Sequence, residues 1–191
     1  MIKKSDNQIV ALALNNDKYF GELVDRYSAK LTRYIFRLMK ADAQTAEDIL
    51  QEVFIKIYRN LNDFDDSFSF SSWAYRITHN EVISYVRKNK VRPQTISIED
   101  EEEGQDLLNI LSEDNDFAEK YDQKKLQKQV QEAIAKLPEK YRSVLILKYL
   151  EDKSYAEIGD ILKRSVNSVS VLINRAKQKL KKEIQKTNLK I

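Results

Sequence analysis

The sequence predicts an all-α protein of two small helical domains joined by an acidic, flexible linker, with a helix-turn-helix in the second. Three observations carry this. Gly and Pro are scarce, three and two in 191 residues, while 33% of residues are charged, a balance that favours long helices over sandwiches or barrels. Apolar residues recur at a helical period of about 3.6 in segment after segment. Between Pro93 and about residue 120 that periodicity gives way to Asp and Glu.

Composition also excludes function classes. There is no cysteine and one histidine, so disulfides and cysteine-ligated metals are ruled out and a zinc site or histidine triad has little to build on. No phosphate loop, metal cluster or nucleophile constellation is present; neither an enzyme nor a cofactor is expected. No apolar run approaches the roughly 20 residues of a spanning helix, and the N-terminus lacks a signal-peptide core. A cytoplasmic protein without membrane insertion is therefore expected. The net charge of +3 is small, but the middle of the chain is acidic and its C-terminal end basic.

In chain order, Ser5 to Asn15 predicts a short lead-in helix. Phe20, Leu23, Val24, Tyr27, Leu31, Tyr34, Ile35 and Leu38 form one continuous helical face. After a turn at 41–44, Thr45 with Asp48 at capping-box distance predicts the next helix start. Ala46, Ile49, Leu50, Val53, Phe54, Ile57 and Leu61 would be its buried side. The far side holds Glu47, Asp48, Gln51, Glu52, Lys56 and Arg59, with Ile55 among them. Acidic residues in a first turn suit the helix dipole, which accounts for Glu47 and Asp48. It does not account for an exposed Ile55, and carboxylates, an amide and one aliphatic side chain also make a partner-binding face.

A helix capped by Ser71 or Ser72 follows, with Phe68, Phe70, Trp73, Tyr75 and Tyr85 near it and Arg76, Arg87, Lys88, Lys90 and Arg92 supplying cations. Aromatics beside cations are the ingredients of a single-strand platform; for any one of these rings a place in the core is the better reading, but that leaves the cations unexplained. His79 and Asn80 lie beside the cluster, and a lone His reads most simply as an incidental surface residue. Pro93 ends the helix. Glu99 to Glu103, Asp106, Glu113, Asp114 and Asp116 then mark the linker.

Leu126, Val130, Ala133, Ile134 and Leu137 predict a further amphipathic helix, and Pro138 opens another in which Tyr141 to Leu150 is apolar enough to be a bundle centre. Ser154 and Glu157 form a capping box before Tyr155, Ile158, Ile161 and Leu162. Ser165 or Asn167 caps the last helix, whose stripe runs Val169, Ile173, Ala176, Leu180, Ile184. Its other sides carry Asn174, Arg175, Lys177, Lys179, Lys181 and Lys182. A short helix, a tight corner and a longer cation-flanked helix suit entry into a DNA major groove. The same pattern also fits an ordinary helical hairpin with a solvated lysine face.

Taken together, AEDILQEVFIKIYRNL, FSSWAYRITHN, the acidic linker, LPEKYRSVLILKYLEDKSYAEIGDIL and the basic terminal helix resemble the extracytoplasmic-function group of bacterial sigma factors, from Phe20 to Lys182. The resemblance implies a domain over 1–93 for polymerase binding and −10 reading, a linker over 94–120, and a domain over 121–191 for the −35 element. It implies that Asp48, Gln51 and Glu52, with Ile55, dock on the clamp coiled coil of core RNA polymerase. Trp73, Arg76, Asn80, Arg87 and Lys88 would recognise and melt the −10 element. Ser168, Ser170, Asn174, Arg175 and Lys177 would face the −35 DNA, while the second domain also meets the polymerase flap. An anti-sigma factor is a further expected partner. Ser84 stands where the family often has Asp, and Ser170 and Leu172 where it often has basic residues, with Val171 and Leu172 off the buried stripe. A stand-alone helix-turn-helix repressor and a helical adaptor without a DNA role are the rival readings.

Overall fold

The computed structural model describes residues 4–89 and 123–188. All regular structure among these residues is helical, and the chain forms two compact units. The expected helix stop at Pro93 and the acidic linker lie outside the described residues.

The N-terminal unit contains α1 (Asp6–Ala13), α2 (Lys18–Leu38), α3 (Ala43–Arg59), a 3₁₀ turn at Leu61–Asp63, and α4 (Phe70–Asn89). α2 packs against α1, α3 and α4, and α3 packs against α4. Leu23, Leu31, Ile35, Ile49, Val53, Ile57, Phe70, Ala74 and Val82 make the core. Leu50 and Phe54 of the predicted buried side are only half-buried.

Two predicted caps move. The α3 cap is Asp42, whose Oδ1 accepts the Thr45 N–H at 2.7 Å, and Thr45 is already inside the helix. That backbone bond, with help from the Thr45 hydroxyl, holds the Asp42 carboxyl below its usual range. The α4 cap is Ser69 rather than Ser71 or Ser72: its Oγ accepts the Ser72 N–H at 3.1 Å, and its carbonyl accepts from Trp73.

α1 is fastened to the rest of the unit by polar contacts. Its capping box pairs Ser5 with Gln8. Arg26 of α2 donates to Asp6 at 2.8 Å and to Glu22 at 2.5 Å. The Tyr27 hydroxyl donates to the other Asp6 oxygen at 2.5 Å. Burial, and then the bond to Asp6, push the Tyr27 phenol above its ordinary range. Asn7 donates to the Asp66 carbonyl at 3.1 Å, reaching the loop that leads into α4. His79 is buried rather than on the surface, its Nδ1 lying 3.2 Å from the Tyr34 hydroxyl.

The C-terminal unit contains α5 (Gln123–Lys136), α6 (Glu139–Tyr149), α7 (Tyr155–Leu162) and α8 (Val166–Asn188). α8 packs on α5 and α6. The predicted stripe Val169, Ile173, Ala176, Leu180 and Ile184 is buried throughout, as are Val144, Leu145, Leu147, Ile158 and Ile161. Leu172 is buried as well, so the stripe is wider than the sequence suggested and only Val171 lies off it.

The caps of this unit fall where expected. Ser154 and Glu157 exchange both capping-box bonds, at 2.9 and 3.2 Å. Partial burial opposes the Glu157 charge, but the Ser154 bonds and nearby Lys153 outweigh it, and the carboxyl lies below its ordinary range. A carboxylate with a depressed folded pKa stabilises above its unfolded pKa and stops doing so as pH falls through the folded one. Denaturation at a series of pH values should therefore show the stability gap between wild type and Glu157→Gln closing as pH falls through and below the ordinary carboxylate range.

Candidate functional site

The corner between α7 and α8 is set by backbone geometry. The Arg164 N–H donates to the Gly159 carbonyl at 2.9 Å across Lys163, which has a φ of 52°. This is the six-residue closure that ends many helices, with Lys163 where glycine is commonest. A Cβ on Gly159 would lie 2.7 Å from the Arg164 carbonyl oxygen. Ser165 then caps α8 by accepting the Ser168 N–H at 3.3 Å. Because the obstruction is backbone, Gly159→Ala should cost about 1–3 kcal/mol of stability, read by denaturation, and should misalign α8. Sequence reasoning passed over Gly159, since the clash depends on a neighbour brought in by the turn.

On α8 the predicted DNA residues are not equivalent. Asn174 and Arg175 are exposed, whereas Ser168 and Ser170 are half-buried flanks. Lys177 is half-buried, with its ammonium 5.7 Å from the centre of the Tyr149 ring. Asn167 and Val171, absent from the predicted set, are exposed, and so are Lys163 and Arg164 at the corner. The signal for Asn167 and Val171 was their position opposite the buried stripe.

The α3 face has the predicted form. Asp48, Gln51, Glu52 and Ile55 are all exposed and follow an i, i+3, i+4, i+7 spacing, which aligns them on one side of the helix. Asp48 accepts a bond from Gln44 at 2.9 Å, a local contact that leaves the carboxylate at the surface. Ile55 is 42% exposed, and Tyr58 one turn later is 46% exposed. The Tyr58 ring packs edge-on to Phe20 at 5.1 Å, and a bond to Asp17 raises the pKa of its hydroxyl. The sequence reading did not single out Tyr58. Lys56 is paired with Glu81 of α4 and ties the two helices together.

The α4 cluster divides into core and surface. Trp73 is 8% exposed, with its ring 5.3 Å from Phe64 and 5.8 Å from Phe70. Phe70 and Tyr75 are buried too. Phe70, Trp73 and Tyr75 thus form a packed aromatic core, while Phe68 is exposed. Asn80, Ser84, Arg87 and Lys88 are exposed and Arg76 is half-buried, forming a polar and cationic row along one side of α4. Lys90 and Arg92 lie outside the described residues. Among the described residues no acidic or histidine cluster could hold a metal, and no helix is long and apolar enough to cross a membrane.

A helix-turn-helix unit, together with a second helical unit bearing a carboxylate–amide–aliphatic face and a cationic helix, defines a class of two-unit, all-helical protein. The comparisons make the assignment specific. Sigma-70 region 2 matches residues 23–92 and sigma-70 region 4 matches residues 127–180. The ECF RNA polymerase sigma factor SigW of Bacillus subtilis (strain 168) is 34% identical over 186 residues, covering 97% of each chain. The chain belongs to the extracytoplasmic-function sigma factors of the sigma-70 family. The fold agrees with two solved structures. CnrH, in complex with the cytosolic domain of CnrY, gives a TM-score of 0.67 at 22% identity, covering 95% of this chain and 98% of that one. The sigma factor RpoE from Bartonella quintana, in complex with the anti-sigma factor NepR, gives 0.61 at 19% identity, covering 88% and 98%.

Proposed function

We propose that this chain is a transcription initiation factor that binds core RNA polymerase, directs it to particular promoters and assists melting of the −10 region. It acts in the cytoplasm and carries out no reaction of its own. The observation that carries the reading is the order of the two sigma regions along one chain, together with the exposed Asp48, Gln51, Glu52 and Ile55 stripe in the first. A stand-alone repressor has no use for that stripe.

In this reading the domain over 1–93 meets the polymerase clamp coiled coil through α3 and the −10 DNA through α4. The linker over 94–120 spans the polymerase. The domain over 121–191 meets the flap and the −35 element. Arg76, Asn80, Arg87 and Lys88 supply the −10 contacts at the surface, and phosphate neutralisation by the cations provides most of the salt-sensitive affinity. Asn174 and Arg175 face the −35 DNA, with Ser168, Ser170 and Lys177 at its edges. An anti-sigma factor is a further partner, supported by the complex of RpoE with the anti-sigma factor NepR.

In vitro transcription with core polymerase over a genomic promoter library tests the reading directly. The expected result is initiation at a small promoter set that depends on this protein. Tight operator binding by the protein alone, with no transcription, would support the repressor instead. Within that assay Arg175→Ala should weaken upstream-element binding by roughly tenfold, seen as loss of the −35 footprint.

A further inference from the structure

We infer that the upstream reader selects A·T base pairs, through Asn167, Val171 and Asn174 on α8. The inference rests on the promoter-reading role proposed above. Buried Val169, Leu172, Ile173 and Ala176 fix which side of α8 faces the core. Successive helical residues turn by about 100°, so the middle of the outward side in the first turns runs through positions i, i+4 and i+7. Those positions are Asn167, Val171 and Asn174, and all three are exposed. Base edges are reached from the N-terminal turns of a recognition helix, which is where this row lies.

The chemistry of the row is selective. An Asn amide donates to adenine N7 and accepts from its N6 amino group, and an aliphatic side chain packs on the thymine C5 methyl. Guanine presents two acceptors, best met by Arg or Lys, and cytosine presents a donor, best met by a carboxylate. The row contains neither. Val171, 47% exposed with polar neighbours in the row, has apolar surface to cover, and a thymine methyl in the groove covers it. The cations lie to the sides: Lys163 and Arg164 at the corner, and Arg175 beside the row, where phosphates run.

The test uses holoenzyme assembled from the full chain and core polymerase, presented with promoter duplexes whose upstream segment is randomised. One pool is made with thymine and one with deoxyuracil, which removes only the methyl group. The wild type should enrich A·T pairs upstream, and a selected duplex should bind about fourfold more weakly when remade with deoxyuracil at the contacted step. Val171→Ser should bind the two duplexes equally, and Asn174→Ala should lose its preference for adenine over 7-deazaadenine. Selection of a G·C-rich segment, or equal wild-type binding of thymine and deoxyuracil, overturns the inference while upstream reading stands. Enrichment confined to the −10 region removes upstream reading and the inference with it. Impaired holoenzyme assembly by Val171→Ser, with unchanged circular dichroism, would assign the valine to a protein interface and overturn its part in base reading.

Discussion

Replacing Asp48 and Glu52 together by lysine should abolish holoenzyme formation, with a loss of affinity on the order of a hundredfold or more, while the protein stays folded. Both side chains are at the surface, and Asp48 accepts a bond from Gln44 in the preceding turn. Little in the fold depends on either charge. A polymerase partner that meets this stripe with cations would instead find like charges, a juxtaposition that costs several kcal/mol. Pull-down with core polymerase reads the effect, and circular dichroism with thermal melting checks the fold. Holoenzyme formed at wild-type levels would remove the stripe from the interface. Ile55→Ala and Tyr58→Ala then ask how far the interface continues along α3, because an aliphatic and an aromatic exposed in successive turns are the side chains that anchor such contacts.

Trp73→Ala should be the most destabilising single change in the N-terminal unit, by about 3–5 kcal/mol. Its indole closes a cluster with Phe64 and Phe70, and Phe70 in turn meets Tyr27 at 5.2 Å, so the cavity would open at the junction of α2, α4 and the loop before α4. Chemical denaturation of the full chain measures this. Trp73→Phe separates packing from DNA contact, since it keeps most of the apolar volume. A ring that only packs leaves Trp73→Phe close to wild type in open-complex formation. A ring that stacks on the melted strand leaves it stable but slow to open, with the defect rescued by a promoter already mismatched across the −10 region.

The parts legible in the sequence were those carried by long periodic patterns. The α8 stripe spans several turns, and all of its predicted positions are buried. The α3 face was equally readable, because the spacing of Asp48, Gln51, Glu52 and Ile55 is itself the geometry. Caps were harder wherever several candidates stand close together. Asp42 precedes Thr45 by three residues, and the sequence does not say which of two adequate acceptors lies at the turn. In the run Ser69-Phe70-Ser71-Ser72 the choice is made by Phe70, which must point into the core and draws the helix start back to Ser69.

What was not legible depends on pairs brought together by tertiary structure. His79 reads as a surface residue until Tyr34, forty-five positions earlier, supplies a hydrogen-bond partner inside the core. For Trp73 the sequence leaves core and base-stacking readings side by side, and the rings that pack on it, Phe64 and Phe70, are visible only in the fold. Leu172 reads as off the stripe because a narrow helical template leaves it out, yet the adjoining helices cover a broader arc. Gly159 carries no pattern at all; its necessity comes from a carbonyl oxygen contributed by the turn five residues on.

The attachment of α1 has a consequence for where this protein begins as a folding unit. The region 2 match starts at residue 23, but Ile9 is fully buried and Asp6 is the acceptor for both Arg26 and Tyr27. A boundary drawn at the start of the region 2 match would run through this core and leave a buried phenol without its acceptor. The smallest autonomous version of the first domain therefore includes the stretch from Ser5 onward, and the segment matched as region 2 is shorter than the physical domain that has to fold.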